Sequence, residues 1–457
     1  MIPRHIFREY DSRGLHATEL SDAAAASVGQ AFGTLIAEAG GTRVALGLDV
    51  RPSSPRLAAG VERGLLAAGV EVERVGIVPT PALYYAVAAR RLPGGIQVTG
   101  SHNPPEFNGF KMTRADRPVF GAEIQTMRER IESGRLRTAG GAAAGDRPVL
   151  DDYRTMLAER LRSPRGLKVV MDCGNGCAGT VVPGVFETAG HSVTPLYAEL
   201  DGRFPNHLPD PTVPALMADL IAAVRRSGAD LGIGFDGDAD RIGAVDGRGR
   251  LMFGDQILAL LARDVLTRVP GAEIIFDVKC SQGLIEDIAA HGGRPVMWKT
   301  GHSLIKSRLL ESGAPLAGEM SGHMFFAEGY FGFDDALFAA GRLLRFVAAS
   351  GSSLAELVDS IPHYYATPET RLACPDERKF EVVAALKQEF ARRYKVIDID
   401  GARVEFGDGW GLVRASNTQP VLVVRFEART PERLEEIRGL FMEPLKRLGV
   451  GEATVGH

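Results

Sequence analysis

The stretch 168–177, "KVVMDCGNGC", is a short run of β-branched and apolar residues that closes on Asp172 and passes into a glycine-containing turn. The same ending occurs in "RVALGLDVRPSS" (43–54) and "EIIFDVKCSQG" (273–283), which close on Asp49 and Asp277. Each run is followed by a helix-like segment and a turn of small residues. Short apolar strands that alternate with helices are typical of parallel sheets covered on both faces. The sequence therefore predicts three related α/β units.

Each unit contains a second strand with an unusual polar ending. These strands are "GGIQVTGSHNP" (94–104), "LGIGFDGDADR" (231–241) and "APLAGEMSGH" (314–323). Ligands of open α/β sheets bind beyond the carboxyl ends of the strands. Three such endings, one in each unit, predict three domains that converge on one site.

The predicted fold class is α/β, with three related domains of mixed, largely parallel sheets and a C-terminal α+β domain around a central cleft. "GWGLVRASNTQPVLVVRFEA" (409–428) predicts two strands around a polar loop in the fourth domain. The Gly/Ala-rich segment "TAGGAAAGDRP" (138–148) separates the first two units. The expected domains are 1–146, 147–250, 251–362 and 363–457.

Composition excludes several classes of protein. The chain has 457 residues, 45% of them hydrophobic and 24% charged, which suits a soluble protein of several domains. Its net charge of -4 gives no reason to expect a nucleic acid or an anionic membrane as partner. The four Cys do not form a disulfide framework, so we expect reduced thiols. Because no targeting or membrane segment is apparent, we expect a cytoplasmic protein. It would be either a monomer or a dimer.

"GFDGDADR" (234–241) brings Asp236, Asp238 and Asp240 together at a spacing of two, with Arg241 next. Crowded carboxylates repel one another unless a cation neutralises them, and hard oxygen ligands select Mg²⁺ or Ca²⁺. An EF-hand is excluded because Arg241 stands where its sixth position needs Gly. The alternative is an exposed acidic turn, since "DGD" is good turn chemistry. The apolar run before the triplet favours a metal site.

Ser101 in "TGSHNP" has two interpretations when this segment is taken alone. A serine hydroxyl is a weak nucleophile and needs a base or a metal nearby. The alternative is an ordinary turn before proline. No G-x-S-x-G elbow surrounds Ser101, so a hydrolase triad is not indicated.

Two further loops are candidates for binding a ligand. Glu319, Ser321 and His323 of "GEMSGH" alternate, and in an extended segment they would face one side, as recognition of sugar hydroxyls requires. "RASNTQP" (414–420) resembles an anion cradle, with an arginine fork and three side-chain donors. The alternative for each segment is an ordinary polar loop that binds no ligand.

Together the four motifs resemble the α-D-phosphohexomutase superfamily, most closely its bacterial phosphomannomutase/phosphoglucomutase group. The resemblance covers essentially the whole chain, from "FREYDSRG" to the phosphate loop. It implies four domains around a cleft. It also implies that Ser101 is the phosphoserine, with Mg²⁺ bound by Ser101, Asp236, Asp238 and Asp240.

The resemblance implies roles for the other residues that line the cleft. Lys111 and His302 match the family's candidate general acid and base groups. Arg241 matches a basic residue of the cleft and is also assigned to catalysis. The residues matched to substrate binding are Tyr10, Arg13, Lys279, Glu319, Ser321, His323, Arg414, Ser416, Asn417 and Thr418.

The implied reaction is reversible transfer of a phosphoryl group between the 1- and 6-positions of mannose or glucose phosphates. Phosphorylated Ser101 and a hexose 1,6-bisphosphate, which also acts as activator, are the expected intermediates. Met320 in "GEMSGH" resembles the hexose mutases rather than the glucosamine branch. The alternatives are a phosphoglucosamine mutase, a metal-dependent phosphatase and a sugar-phosphate-binding regulator without catalysis.

Overall fold

The computed structural model describes residues 2–115, 117–416 and 419–451. In these ranges, four separate β-sheets follow one another in sequence order, three of them mixed and the last antiparallel. The predicted fold class is confirmed: three α/β units are followed by an α+β domain. Within the described ranges, no helix is both long and apolar enough to cross a membrane.

The first unit is built around a six-stranded sheet in the order β1-β5-β4-β2-β3-β6. Its elements are β1 Ser12–Leu15, α1 Asp22–Glu38, β2 Arg43–Leu48, α2 Ser54–Ala67, β3 Glu71–Ile77, α3 Thr80–Ala89, β4 Gly94–Val98, β5 Phe107–Arg114, α4 Ala122–Ser133 and β6 Ala144–Asp146.

The second unit has a five-stranded sheet in the order β11-β10-β9-β7-β8. Its elements are α5 Leu150–Arg160, β7 Lys168–Asp172, α6 Val182–Thr188, β8 Ser192–Leu196, α7 Ala218–Ser227, β9 Leu231–Phe235, β10 Ile242–Asp246 and β11 Leu251–Met252.

The third unit has a four-stranded sheet in the order β13-β12-β14-β15. Its elements are α8 Gly254–Leu266, β12 Glu273–Asp277, α9 Gln282–Ala290, β13 Arg294–Trp298, α10 His302–Ser312, β14 Leu316–Gly318, β15 Met324–Phe326, α11 Ala336–Ser350 and α12 Leu354–Asp359.

The three α/β sheets share one core arrangement. In each, the aspartate-ending strand (β2, β7 or β12) has parallel neighbours on both sides. One neighbour is the strand with the unusual ending (β4, β9 or β14), which then pairs antiparallel with the next strand along the chain. The repeat predicted from the sequence is therefore confirmed in strand order and direction. It brings the three polar endings to equivalent edges of three sheets.

The fourth domain is an antiparallel sheet covered by two helices. Strand β21 lies beside β20, β17 and β16, and β19 joins β20 to β18. Its elements are β16 Tyr365–Ala366, β17 Thr370–Ala373, α13 Asp376–Ala391, β18 Lys395–Ile397, β19 Ala402–Glu405, β20 Gly409–Ala415, β21 Val421–Ala428 and α14 Pro431–Arg447.

A buried arginine docks the fourth domain onto the third. Arg403 Nη1 donates to the carbonyl oxygens of Val278 and Cys280, at 2.8 Å each. Its guanidinium lies 3.8 Å from the ring centroid of Trp410, which is also buried. Burial makes each of these bonds costly to break without a replacement. The two domains are thereby held together beside the loop that follows β12.

All four cysteines are buried free thiols, as the sequence indicated: Cys173, Cys177, Cys280 and Cys374.

Helices α1 and α2 approach so closely that a side chain is excluded at their contact. A Cβ added at Gly64 would overlap the carbonyl oxygen of Ala26 on α1. We expect Gly64→Ala to lower the free energy of unfolding by about 2 kcal/mol or more, because backbone must move. Gly439→Ala on α14, where a Cβ meets nothing within 4 Å, is the matched control and should be neutral or stabilise by up to about 1 kcal/mol. Urea unfolding of both variants tests this, and equal stability of the two would contradict it.

Candidate active site

Ser101 lies at the carboxyl end of β4 in a strained backbone conformation. Its φ is +49°, in the left-handed region that residues with a Cβ rarely adopt, and the residue is 1% exposed. Its Oγ donates to Asp236 Oδ2 at 2.7 Å, and its N–H donates to Thr99 Oγ1 at 2.9 Å. The hydroxyl of the first unit is thus aimed at the acidic loop of the second.

The acidic loop follows β9 and is fully buried. Asp236, Asp238 and Asp240 are each 0% exposed, and each offers a carboxylate oxygen within 4.8 Å of the others. The N–H groups of Asp240 and Arg241 donate to Asp236 Oδ1 at 3.0 and 3.1 Å, which holds the turn. Thr80 Oγ1, at the start of α3, donates to Asp238 Oδ2 at 2.6 Å.

The carboxylates of this loop fit a hard divalent cation. Asp238 Oδ1 is buried and accepts no hydrogen bond from a described residue, while Asp240 Oδ1 has only the contact with His323 Nε2 at 3.4 Å. Buried carboxylate oxygens without a donor are costly unless a cation compensates them. Burial and repulsion by Asp240 and Asp238 raise the pKa of Asp236 well above its usual value. A cation bound to the triplet would relieve this repulsion.

Lys111 on β5 supplies a positive charge beside the triplet. Its Nζ donates to Asp238 Oδ2 at 2.8 Å and makes a closer contact with Asp240 Oδ2. Burial disfavours the ammonium, but attraction by these two carboxylates outweighs it and raises the pKa of Lys111 well above its usual value. The lysine therefore carries its charge at neutral pH.

Glu319, Ser321 and His323 form a turn rather than the extended segment considered from the sequence. The Glu319 N–H donates to the carbonyl of His323 at 2.9 Å, which closes the connection between β14 and β15. The expectation of an extended run is wrong because these two strands are antiparallel neighbours joined by a short hairpin. The polar side chains nevertheless converge, because the hairpin brings its two ends together.

His323 connects the third unit to the acidic loop of the second. Its Nδ1 lies 3.1 Å from Glu319 Oε2, and its Nε2 lies 3.4 Å from Asp240 Oδ1. Burial opposes the charged imidazole, but Asp240 and Glu319 raise the pKa of His323 to about 9. The Ile242 N–H also donates to the Gly322 carbonyl at 3.1 Å, so backbone contacts hold the two loops together.

His302, the first residue of α10, stacks on His323 with 5.3 Å between ring centroids. Tyr10 packs against His302 with a centroid separation of 5.9 Å, and its hydroxyl donates to the Thr300 carbonyl at 2.8 Å. Burial and the nearby positive charges of His323 and Lys111 hold the pKa of His302 well below its usual value. His302 is therefore a neutral imidazole near pH 7, in contrast to His323.

The predicted phosphate loop lies at the end of β20 and is described only in part. Arg414 Nε donates to Asp400 Oδ2 at 3.0 Å, and the same oxygen accepts the Thr300 N–H at 3.1 Å. Ser416 donates its N–H to the Val421 carbonyl at 3.0 Å. Asn417 and Thr418 lie outside the described residues.

The remaining predicted residues lie around these loops. Arg13 Nη1 donates to Asn103 Oδ1 at 2.8 Å, beside the Ser101 loop. Arg241 directly follows the acidic triplet, and its backbone bridges to His323. Lys279 follows β12, where its Nζ lies 3.0 Å from Glu369 Oε2. The structure thus connects the three α/β loops by direct contacts and reaches the fourth domain through Asp400 and Glu369.

Sequence reasoning missed several residues that support this site. Asp334 has no exposed surface and lies 3.7 Å from His302 Nδ1 and 2.7 Å from Lys306 Nζ. Asp400 bridges two domains, and Arg51 contacts the Ser101 loop. Asp334 lies in "FGFDDALF", where adjacent aspartates within an apolar run were an available signal. No local pattern distinguishes Asp400.

Glu369 gives a pH dependence that can be tested. Burial disfavours its carboxylate, but attraction by Lys279 outweighs this and lowers the pKa of Glu369 from 4.5 to about 2. Because the folded pKa is the lower one, the stabilisation is complete above pH 4.5 and is lost as the pH falls toward 2. We expect Glu369→Gln to cost on the order of 3 kcal/mol at pH 7 and progressively less below pH 4.5.

Unfolding free energies of Glu369→Gln and wild type, measured across this pH range, check the expectation. Glu435→Gln, which removes an exposed pair with Arg438, is the control and should cost less than about 1 kcal/mol. A cost for Glu369→Gln that does not change with pH would contradict the assignment.

Four family profiles match the chain, one after another. They are the phosphoglucomutase/phosphomannomutase alpha/beta/alpha domains I, II and III, at residues 4–137, 151–249 and 253–365, and the C-terminal domain of the same family, at residues 369–443. The chain belongs to the phosphoglucomutase/phosphomannomutase family. This agrees with the order of the four sheets and with the convergence of their loops.

Similar proteins span the whole chain. A phosphomannomutase/phosphoglucomutase of Pseudomonas aeruginosa is 46% identical over 446 residues, covering 97% of this chain and 96% of the relative. A phosphoglucomutase of Neisseria meningitidis serogroup A is 43% identical and covers 96% of each chain. A crystal structure of a phosphoglucomutase/phosphomannomutase family protein from Burkholderia thailandensis superimposes with a TM-score of 0.93 at 41% identity, covering 99% of this chain and 100% of that one.

Proposed function

We propose that this family member is a hexose-phosphate mutase. It transfers a phosphoryl group reversibly between the 1- and 6-positions of mannose or glucose phosphates, through phosphorylated Ser101 and a hexose 1,6-bisphosphate. The observation that carries this proposal is the direction of Ser101 Oγ, 2.7 Å from Asp236 in the acidic triplet. A nucleophilic hydroxyl beside a cation site suits phosphoryl transfer.

The proposed cation is Mg²⁺, held by Asp236, Asp238, Asp240 and the phosphorylated side chain of Ser101. When bound, Mg²⁺ neutralises charge on the transferring group, which is the main need of such a reaction. Asp238 Oδ1, a buried oxygen without a donor among the described residues, supports this assignment. Lys111 adds a positive charge beside the triplet, where its Nζ donates to Asp238 Oδ2.

In the forward half-reaction, the phosphorus–Oγ bond of phosphorylated Ser101 breaks and a bond forms to the free hydroxyl oxygen of a hexose monophosphate. The hydroxyl must give up its proton, and His302, which stacks on His323 beside the acidic loop, is the proposed acceptor. In the second half-reaction the bond between the other phosphorus and its sugar oxygen breaks, that phosphoryl group bonds to Ser101 Oγ, and the freed sugar oxygen takes up a proton in place of the one that Oγ loses. Lys111, kept in its charged form by attraction to Asp238 and Asp240, is suited to stabilise the oxygen that departs.

One site must hold a sugar with a phosphate at either end. We propose that Arg414 and Ser416, with Asn417 and Thr418, bind the phosphate that is not reacting. Glu319, Ser321 and His323 bind the sugar hydroxyls, and Tyr10, Arg13, Lys279 and Arg241 contribute polar groups along the cleft. The ligand is then enclosed by all four domains, which limits loss of the bisphosphate to water. We propose a cytoplasmic enzyme that acts on small sugar phosphates without a nucleic-acid or membrane partner.

A substrate panel tests the function. Glucose 1-phosphate, mannose 1-phosphate and glucosamine 1-phosphate are supplied with Mg²⁺ and a trace of glucose 1,6-bisphosphate, and kcat/KM is measured for each. We expect glucose and mannose phosphates to be converted to the 6-phosphates with the higher kcat/KM. A preference for glucosamine phosphate would make the enzyme a phosphoglucosamine mutase. Net release of inorganic phosphate would indicate a phosphatase, and binding without turnover a regulator.

A further inference from the structure

Ser101 needs its surroundings to hold it in place. A residue with a Cβ adopts a positive φ only where neighbouring groups determine the conformation. Thr99 Oγ1 fixes the N–H side of Ser101 by accepting its hydrogen bond at 2.9 Å. The carbonyl side requires a donor of its own, and this donor comes from a residue 50 positions earlier in the chain.

Arg51 supplies that donor and several others. Its Nη2 donates to the carbonyl oxygens of Ser101 at 2.9 Å and Asn103 at 2.5 Å. Its Nη1 donates to the carbonyl oxygens of Pro104 at 2.6 Å and Phe107 at 3.0 Å. One planar guanidinium therefore binds four carbonyls, three in the loop between β4 and β5 and one at the first residue of β5. The carbonyls converge on it because the loop curls around the side chain.

Arg51 is itself rigidly held. It is 1% exposed, its Nε lies 3.1 Å from Asp49 Oδ2, and its own N–H donates to Asp49 Oδ1 at 3.0 Å. Asp49 also accepts the Gly100 N–H at 3.0 Å, so it contacts both Arg51 and the loop. On the side of the second domain, the Phe204 ring lies 5.0 Å from the guanidinium carbon. The group thus lies between the Ser101 loop and the domain that carries the acidic triplet.

We propose that Arg51 is a positioning residue that holds Ser101 Oγ at the acidic triplet for phosphoryl transfer. This inference rests on the proposed role of Ser101 as phosphoryl carrier. None of the contacts described for Arg51 reaches Glu319, His323 or Arg414, which belong to the third and fourth domains. Loss of the guanidinium should therefore slow transfer to and from Ser101 without weakening the binding of the sugar phosphate.

The test is Arg51→Lys, which keeps the charge beside Asp49 but cannot bind four carbonyls with one planar group. Purified, dephosphorylated protein is mixed with saturating glucose 1,6-bisphosphate and Mg²⁺, and phosphate gained at Ser101 is followed by intact mass. We expect the rate and kcat to fall about 10-fold to 100-fold, as displacement of a reacting group predicts, while KM for glucose 1-phosphate changes less than about threefold.

The matched control is Arg342→Lys. Arg342 is also buried, donates to Asp264 Oδ2 at 2.6 Å and packs over Phe326, with 4.8 Å between the guanidinium carbon and the ring centroid. Neither of these contacts involves the Ser101 loop. It should lose thermal stability as Arg51→Lys does while gaining phosphate at the wild-type rate. This separates positioning from a general effect of removing a buried guanidinium.

The outcomes distinguish the two proposals. Wild-type protein that gains no phosphate at Ser101 would overturn the proposed function. Wild-type protein that gains phosphate while Arg51→Lys gains it equally fast would overturn only the role of Arg51. If Arg51→Lys does not fold, Phe204→Leu decides, because it leaves Arg51 in place but removes the ring against it. We then expect phosphate gain to slow by about threefold, as looser positioning predicts, and an unchanged rate would contradict the inference.

Discussion

Ser101→Ala is expected to lower mutase activity by at least about a thousandfold, because no other group can carry the phosphoryl between the two ends of the sugar. The change removes one oxygen and leaves the turn at β4 without its contact to Asp236. Conversion of glucose 1-phosphate and mannose 1-phosphate to the 6-phosphates, measured with Mg²⁺ and glucose 1,6-bisphosphate, gives the loss directly. The intact mass of the variant should show no added phosphate after incubation with the bisphosphate.

Ser133→Ala is the control for this experiment. Ser133 lies at the end of α4, where its Oγ donates to the Glu129 carbonyl at 2.7 Å, and it is exposed. Its variant should keep wild-type activity and gain phosphate normally at Ser101. Turnover by Ser101→Ala near that of wild type would reject the phosphoserine mechanism, and with it the proposed function.

Asp238→Asn is expected to have the second largest effect, about a thousandfold on kcat/KM at low Mg²⁺, because removing a charge from the triplet weakens the cation site that the transferring group needs. Asp238 also accepts hydrogen bonds from Thr80 and Lys111, at 2.6 and 2.8 Å. An amide can still accept from these donors but carries no charge. Activity titrated with Mg²⁺ should therefore recover in part at high concentrations, and calorimetry should show weaker Mg²⁺ binding.

Asp246→Asn is the matched control for the metal experiment. Asp246 is likewise 0% exposed and lies at the end of β10 in the same domain, where it accepts from Arg250 Nε at 2.6 Å. Its variant should lose stability but keep the wild-type dependence on Mg²⁺. An Asp238→Asn enzyme with the same Mg²⁺ dependence as Asp246→Asn would contradict the assignment of the triplet as the cation site.

The strand endings of this chain are local sequence patterns, and such patterns were sufficient to predict most of the fold. An apolar run that closes on aspartate specified β2, β7 and β12, and the endings after β4, β9 and β14 specified where polar groups would gather. The inference succeeded because parallel neighbours in a sheet bring their carboxyl ends to one edge. The exact domain limits stay a prediction, since a linker pattern fixes a boundary only to within several residues.

The hairpin at Glu319–His323 shows where a local pattern was insufficient. Alternating polar residues fit an extended strand and a tight turn equally well. Only the antiparallel pairing of β14 with β15 selects the turn. The opposite charge states of His302 and His323 could not be predicted from the sequence either, because they depend on which charged groups of other units lie near each ring.

The sequence by itself determined the repeat, the class of each domain and the loops in which polar side chains gather, because these follow from short-range periodicity and motif. The tertiary structure alone decided which distant groups hold those residues in place. Arg51 reaches carbonyls some 50 positions away, and Asp400 joins Thr300 to Arg414. Backbone carbonyls carry no sequence signature, and contacts between domains have no fixed spacing along the chain. The physical support of the site therefore appears only once the four sheets are packed together.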